Sequence, residues 1–166
     1  MRSRTCIAFS VIVIVAVMAL AICSPAVADD KETCKTASGE EAFDACSRAI
    51  ESKKYKGRNL SLLYTNRGVE YGGKGENDRA IADYDQAIKL DPKNALAFNN
   101  RGNVYGAKGD SDRAIVDYDQ AIKLNPKYAA ALYNRGIAKQ RKGDIEGANA
   151  DIVQARQLQP GIGNSQ

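Results

Sequence analysis

The sequence predicts an all-α protein, a helix-turn-helix solenoid of three stacked two-helix units with a capping helix in front of them. Two observations carry this. The first is self-similarity at a fixed period: residues 61–94 and 95–128 match at 22 of 34 positions without a gap, and residues 129–162 follow in the same register, matching the second unit at 14 of 34. The second is helical patterning inside the period. Ala80, Ile81, Tyr84, Ala87 and Ile88 fall at i, i+1, i+4, i+7 and i+8, an apolar stripe with the spacing of one helix face. A pair of helices cannot bury such a stripe alone, so stacking of neighbouring units has to supply the core.

The elements follow in chain order. Arg2 and Arg4 precede an apolar run over residues 6–23, which ends in Ser24-Pro25 and the small residues Ala26-Val27-Ala28. That layout predicts a secretory signal peptide over 1–28, cleaved near Ala28, and a periplasmic or secreted protein. The 18-residue run also matches the shortest membrane spans, so an N-terminally anchored form is the alternative, and Cys23 is a further candidate for lipidation. Without Arg2 and Arg4 the chain carries 22 basic against 20 acidic residues, so the formal charge of +4 falls by half.

Residues 29–60 read as a capping helix and a linker. Residues 40–51 carry Ala42, Phe43, Cys46, Ala49 and Ile50 at the spacing of Ala114, Ile115, Tyr118, Ala121 and Ile122, which is the pattern of a second helix standing alone. Cys34 and Cys46 are the two cysteines outside the leader. In an oxidising compartment an even pair predicts a disulfide, which on so short a loop contributes about 3 kcal/mol. Residues 53–58, Lys-Lys-Tyr-Lys-Gly-Arg, form the one basic cluster. They read as a solvated linker, with anionic phospholipid or an acidic partner as the alternative contact.

The three units come next. In each, a first helix (about Ser61 to Gly72 in the first) ends at Lys-Gly, where glycine suits a helix C-terminus. A second helix runs to Leu90, Leu124 or Leu158, and Pro92, Pro126 or Pro160 stops it two residues later. The last unit is polar at its end, with Arg156 in place of Ile88 and Ile122, as a terminal repeat requires. Residues 163–166 read as a tail.

The pattern resembles the tetratricopeptide repeat. Its bulky first-helix position is held by Tyr64, Phe98 and Leu132, and its glycine by Gly68, Gly102 and Gly136. Its tyrosine is Tyr71 and Tyr105, but Lys139 in the third unit; its second-helix aromatic is Tyr84 and Tyr118, but Ile152 in the third. Its alanines are Ala80, Ala114 and Ala148, then Ala87, Ala121 and Ala155. Export combined with Asn-Arg-Gly repeats and a cysteine pair is similar to small exported repeat proteins of Gram-negative, alphaproteobacteria-like bacteria. That implies a periplasmic location and no particular activity.

One departure is systematic. Before the glycine, where the family usually has leucine, stand Arg67, Arg101 and Arg135, and each second helix carries an acid, Asp83, Asp117 or Asp151. An arginine among packed helices needs a partner, so these six residues predict a ladder of structural ion pairs, within or between units.

The resemblance implies a function in binding. Peptides in this family lie in the concave groove of the first helices, and the matching residues here are Leu62, Thr65, Val69, Leu96, Asn99, Asn103, Ala130, Tyr133, Ile137 and Arg141. The family's clamp for acidic chaperone tails uses Lys, Arg and Asn at set positions, and this groove lacks that set. A protein or peptide partner is expected, with Asn99 and Asn103 candidates for bonding an extended backbone. A homo-oligomer is the alternative, because no full solvating helix follows the third unit. Catalysis is not expected: the chain has no histidine, no Gly-rich phosphate loop and no nucleophile motif, and its carboxylates recur with the repeat. Nor are a cofactor, a metal or nucleic acid expected, the charge being mild and the thiols too few for a tetrahedral site.

Overall fold

The computed structural model describes residues 29–163. The expected leader over 1–28, with its cleavage site near Ala28 and the lipidation candidate Cys23, lies outside the described residues, as do residues 164–166.

Among the described residues eight helices follow one another: α1 (Asp30–Thr36), α2 (Gly39–Glu51), α3 (Gly57–Gly73), α4 (Asn77–Leu90), α5 (Ala95–Ala107), α6 (Ser111–Leu124), α7 (Ala129–Arg141) and α8 (Ile145–Leu158). There is no strand among the described residues. Each helix packs on its sequence neighbours, and the first helices of successive units also touch, α3 against α5 and α5 against α7. This is the expected all-α solenoid.

The turns repeat because their chemistry repeats. After α3, α5 and α7 the chain passes through Gly75, Gly109 and Gly143 at φ +76°, +81° and +86°. That conformation is nearly free of cost for glycine alone, and it lets the next N–H reach back to a free helix carbonyl, as Asp110 N does to Tyr105 O at 2.9 Å. Two of the second helices are then opened by side-chain caps, Asp110 accepting from Arg113 N and Asp144 from Gly147 N, whereas Glu76 before α4 makes no such bond.

The glycine of each first helix sets the distance between the two helices of a unit. A Cβ on Gly68 would lie 2.7 Å from the Tyr84 ring, one on Gly102 2.7 Å from Tyr118, and one on Gly136 2.8 Å from Ile152. The alanines opposite (Ala80, Ala87, Ala114, Ala121, Ala148, Ala155) are buried. The core is therefore a row of small clusters, one per interface: Cys34, Cys46 and Leu63 at the first, Ala80, Tyr84 and Val104 at the next, Ala114, Tyr118 and Ala138 at the third.

The N-terminal end differs from expectation in two ways. Residues 30–36 are themselves helical, so the cap is a short hairpin, α1 against α2, rather than one helix with a tied segment. The sulfurs of Cys34 and Cys46 stand 2.09 Å apart across it, and both residues are buried. Second, α3 begins at Gly57 instead of about Ser61, which takes Gly57 and Arg58 out of the expected linker. The other first helices are preceded at close range by Pro92 or Pro126, which bar helix from extending backwards. Nothing of the kind stands before α3.

At the C-terminal end the chain repeats the inter-unit turn once more. Ile162 N bonds Gln159 O at 3.0 Å, as Asn94 N bonds Asp91 O and Tyr128 N bonds Asn125 O, and Gly163 backs onto the Tyr133 ring. Residues 159–163 thus cover part of α7 with a further copy of the inter-unit turn.

Candidate binding groove and the ion-pair ladders

The six ladder residues meet as three bidentate pairs, all within one unit. Arg67 reaches Asp83 at 2.7 and 2.8 Å, Arg101 reaches Asp117 at 2.8 and 2.7 Å, and Arg135 reaches Asp151 at 2.8 and 2.6 Å. The carboxylates are 4–8% exposed and the guanidinium groups 18–19%, so these pairs are partly desolvated and well oriented. The remaining guanidinium nitrogen of Arg101 crosses to Asp85 of the unit before, and that of Arg135 crosses to Asp119 at 2.6 Å. Each of these arginines therefore fixes both the pairing inside its unit and the stacking on the previous one. The hydrogen bond from Asp117 raises the pKa of Arg101, and that from Asp151 raises Arg135, against the opposing effect of burial. Burial pushes the Asp151 carboxyl up, but hydrogen bonds from Arg135 and Lys139 outweigh it and hold the group below the usual carboxylate range. Arg67 has no unit before it with a matching carboxylate in reach; its guanidinium instead lies 5.5 Å from the Tyr64 ring and 5.7 Å from the Tyr71 ring.

The sequence reading missed Asp85 and Asp119, although a signal was present. They recur 34 residues apart, and the third unit holds Val153 in their place. The missing tyrosine of the third unit has a similar explanation. Arg79 and Arg113 lie over the Tyr71 and Tyr105 rings, whereas the third unit has Gly147 where those arginines stand, and its Lys139 turns instead to Asp151 at 2.9 Å.

The concave face carries two adjoining clefts. One, of about 280 Å³, is lined by Val69, Asn77, Tyr84, Asn100, Asn103, Val104 and Ala107 among others. The second, of about 350 Å³, includes Asn103, Ala107, Tyr118, Tyr133, Asn134, Ile137 and Arg141. Asn103 and Ala107 are common to both, so the pair forms one track across the first helices. Asn103 is the junction: its side-chain oxygen accepts from Tyr118 Oη at 2.9 Å and from Asn134 Nδ2 at 2.8 Å, while its amide nitrogen donates to no other described residue. Burial pushes the Tyr118 hydroxyl up to about 12, so it remains a donor at any ordinary pH. Arg141 is exposed and donates to Gly106 O at 3.0 Å. Neither cleft is lined by a carboxylate.

Of the ten expected groove residues, Val69, Asn103, Tyr133, Ile137 and Arg141 line this track. Thr65 does not. It is fully buried, bonding Ser61 O at 2.9 Å and accepting from Asn94 Nδ2 at 3.0 Å, because the loop before α5 folds over it. Asn99 is buried too, at 4% exposure, its amide turned to Asn100 Oδ1. Leu62 and Leu96 are exposed but line a different cleft, at the edge where the second helices end. Ala130 is half-buried and lines neither half of the track. Asn100 and Asn134 were overlooked as groove residues because their Asn-Arg-Gly context marks them as structural.

No group of three or more metal-binding side chains converges among the described residues, and no described helix is long and apolar enough to cross a membrane.

Comparison with known families bears on this geometry directly. A family model described as TPR repeat matches residues 68–109, and two described as tetratricopeptide repeat match 95–128 and 117–150. The chain is a tetratricopeptide-repeat protein. Among solved structures of this repeat, the first TPR of Spaghetti (RPAP3) bound to HSP90 peptide SRMEEVD superposes with a TM-score of 0.62 at 27% identity, over 64% of this chain and 85% of that one. The second TPR of the same protein, bound to the same peptide, gives 0.60 at 28% identity, over 68% and 99%. The crystal structure of MamA gives 0.64 at 22% identity, over 75% and 71%, a likeness of repeat fold alone. No curated protein matches the sequence significantly.

Proposed function

We propose that this tetratricopeptide-repeat protein is a non-enzymatic docking module that holds an extended segment of a partner protein along its concave track. The observation that carries the reading is the continuity of the two clefts through Asn103 and Ala107, with the Asn100 and Asn103 side-chain amides donating to no other described residue, along a floor of small and apolar residues. Extended backbone needs donors and acceptors at intervals, and side-chain amides provide both. Two TPR units of similar fold hold a peptide in their structures, which supports a peptide as the kind of ligand. The partner differs from a chaperone tail, since the positions of the acidic-tail clamp are not basic here.

The setting we propose is the cell envelope, with the Cys34–Cys46 disulfide formed and the leader removed near Ala28. The leader's composition and the juxtaposed sulfurs support this. N-terminal sequencing that begins at Asp29 checks cleavage; an intact residue 6–23 run in the purified protein refutes it.

The test of docking is cross-linking in intact cells with a C-terminal tag, followed by mass spectrometry. One dominant partner is expected, lost when Asn100 and Asn103 are both changed to Ala. Unchanged recovery by that double variant sinks the groove reading. The Asn99→Ala change is unsuitable because that side chain is buried.

A second reading, self-assembly, is favoured by the outer face of α8, where Ile145 and Val153 are 53% and 55% exposed. Light scattering on the eluting protein decides it: a monomer at high concentration removes this reading.

A further inference from the structure

The two edges of the stack use their charges differently. Where first helices turn into second, the cations are paired: Lys74 with Glu40, Lys108 with Asp78, Lys142 with Asp112, Arg79 with Glu76 and Arg113 with Asp110. Where second helices end and first helices begin, they are not. The linker and the start of α3 bring Lys53, Lys54, Lys56 and Arg58 to this edge. The first unit adds Lys89 and Lys93, and the second adds Lys123 and Lys127. All eight are exposed, and none makes an ion pair among the described residues. The carboxylates placed here are largely occupied. Asp91 accepts from Lys93 N within its own loop, Asp29 accepts from Tyr55 Oη and Lys31 N, and Asp30 is held by Arg48, which leaves Glu51.

The same edge carries apolar surface. A cleft of about 500 Å³ is bordered by Leu62, Leu90, Leu96 and Leu124, with Arg58 and Lys93 at its rim. Leu62 and Leu96 are 37% and 41% exposed. A third fact concerns the path of the chain. Tyr55 of the linker bonds Asp29 at 2.9 Å, so the first described residue lies beside the basic linker.

We propose that this edge is a docking surface for an anionic phospholipid bilayer. Free cations in a row are drawn to a negatively charged leaflet within a Debye length, and exposed leucines between them enter the headgroup layer. Seven of the eight cations are lysine, a flexible point charge suited to mobile headgroups, whereas fixed bidentate recognition of peptide carboxylates favours arginine. The concave track stays open when the edge is seated, so the two surfaces act independently.

Sedimentation with vesicles tests this, using residues 29–166, which carry all eight helices and their cores and lack the apolar leader. The protein is expected to pellet with phosphatidylcholine vesicles containing about one-quarter phosphatidylglycerol, to stay in solution with phosphatidylcholine alone, and to be released as salt rises. The K93E/K127E variant is expected to lose affinity more than fivefold, and L62S/L96S to lose affinity at constant charge. The K35E/K142E variant, with the same charge change at the opposite edge, is expected to bind like the parent. Equal losses in the two charge variants overturn the proposal, as does salt-insensitive binding to neutral vesicles. So does capture of a glutamate-rich peptide at this edge without vesicle binding.

Discussion

Gly102 illustrates how tightly single residues are constrained in this stack. The Tyr118 ring occupies the place a Cβ would take, and neither the ring, clamped by its bond to Asn103, nor the helix backbone has room to yield. Gly102→Ala is therefore expected to destabilise by about 1–3 kcal/mol despite its better helix propensity, measured by urea unfolding; a more stable variant contradicts the packing described. Asp151 sets a pH dependence. Its carboxyl is held below its ordinary value of 3.8, so its contribution to stability is present above that value and is lost as pH falls through the lower, folded value. Thermal melts below pH 4 should show the steeper fall for the parent than for Asp151→Asn, which is less stable at neutral pH. The arginines and aspartates of the three intra-unit pairs were legible in the sequence by their recurrence. Asp85 and Asp119 were not recognised, because two carboxylates among many need the neighbouring unit in view before their role shows. Thr65 and Asn99 were misplaced for a related reason: a repeat register says which helix face a residue is on, but the covering contact comes from the next unit, from the loop at Asn94 for Thr65 and from Asn134 of α7 for Asn99.

Among the elements, α1 depends most on a single link. It has seven residues, too few to be stable alone, and it is held by the Cys34–Cys46 juxtaposition, by Arg48 to Asp30 and by Asn66 Nδ2 to Cys34 O at 3.2 Å. With the disulfide formed, reduction is expected to lower stability by about 3 kcal/mol, seen as a drop in Tm on adding dithiothreitol. The Cys34→Ser/Cys46→Ser variant should melt at the reduced protein's temperature and ignore the reductant. Six of the eight helices were legible from the repeat, since Lys-Gly and Pro mark their ends. The early start of α3 and the existence of α1 were not, because both fall outside the repeated register where no second copy shows what to expect.

For the whole molecule, stability is a sum over interfaces, and the ends are unequal. The N-terminal hairpin covers α3 with a cysteine-tied cluster, while α8 has a neighbour on one side and a polar outer face with Ile145 and Val153 exposed. Hydrogen exchange is expected to be fastest in α8, slower in α7 and slowest in α3 to α5. A uniform rate along the array would mean that the stack unfolds as one unit. The fold class was legible at this scale from period alone. The location of the ligand track was legible only in part, because grooves in stacked repeats are made between units, from residues such as Asn100 and Asn134 that look structural within each.

The substitution that ends the ladder has a consequence for how such a chain lengthens. Duplicating residues 95–128 in place sets an aspartate at the Asp119 position before every following Arg135-type side chain, so each added copy finds its cross-link already waiting. Appending the same segment after residue 162 sets its arginine opposite Val153, with one guanidinium nitrogen facing a valine. The array thus carries its inter-unit cross-link forward when lengthened from its middle and not from its tail, and Val153→Asp is the change that restores the missing carboxylate there.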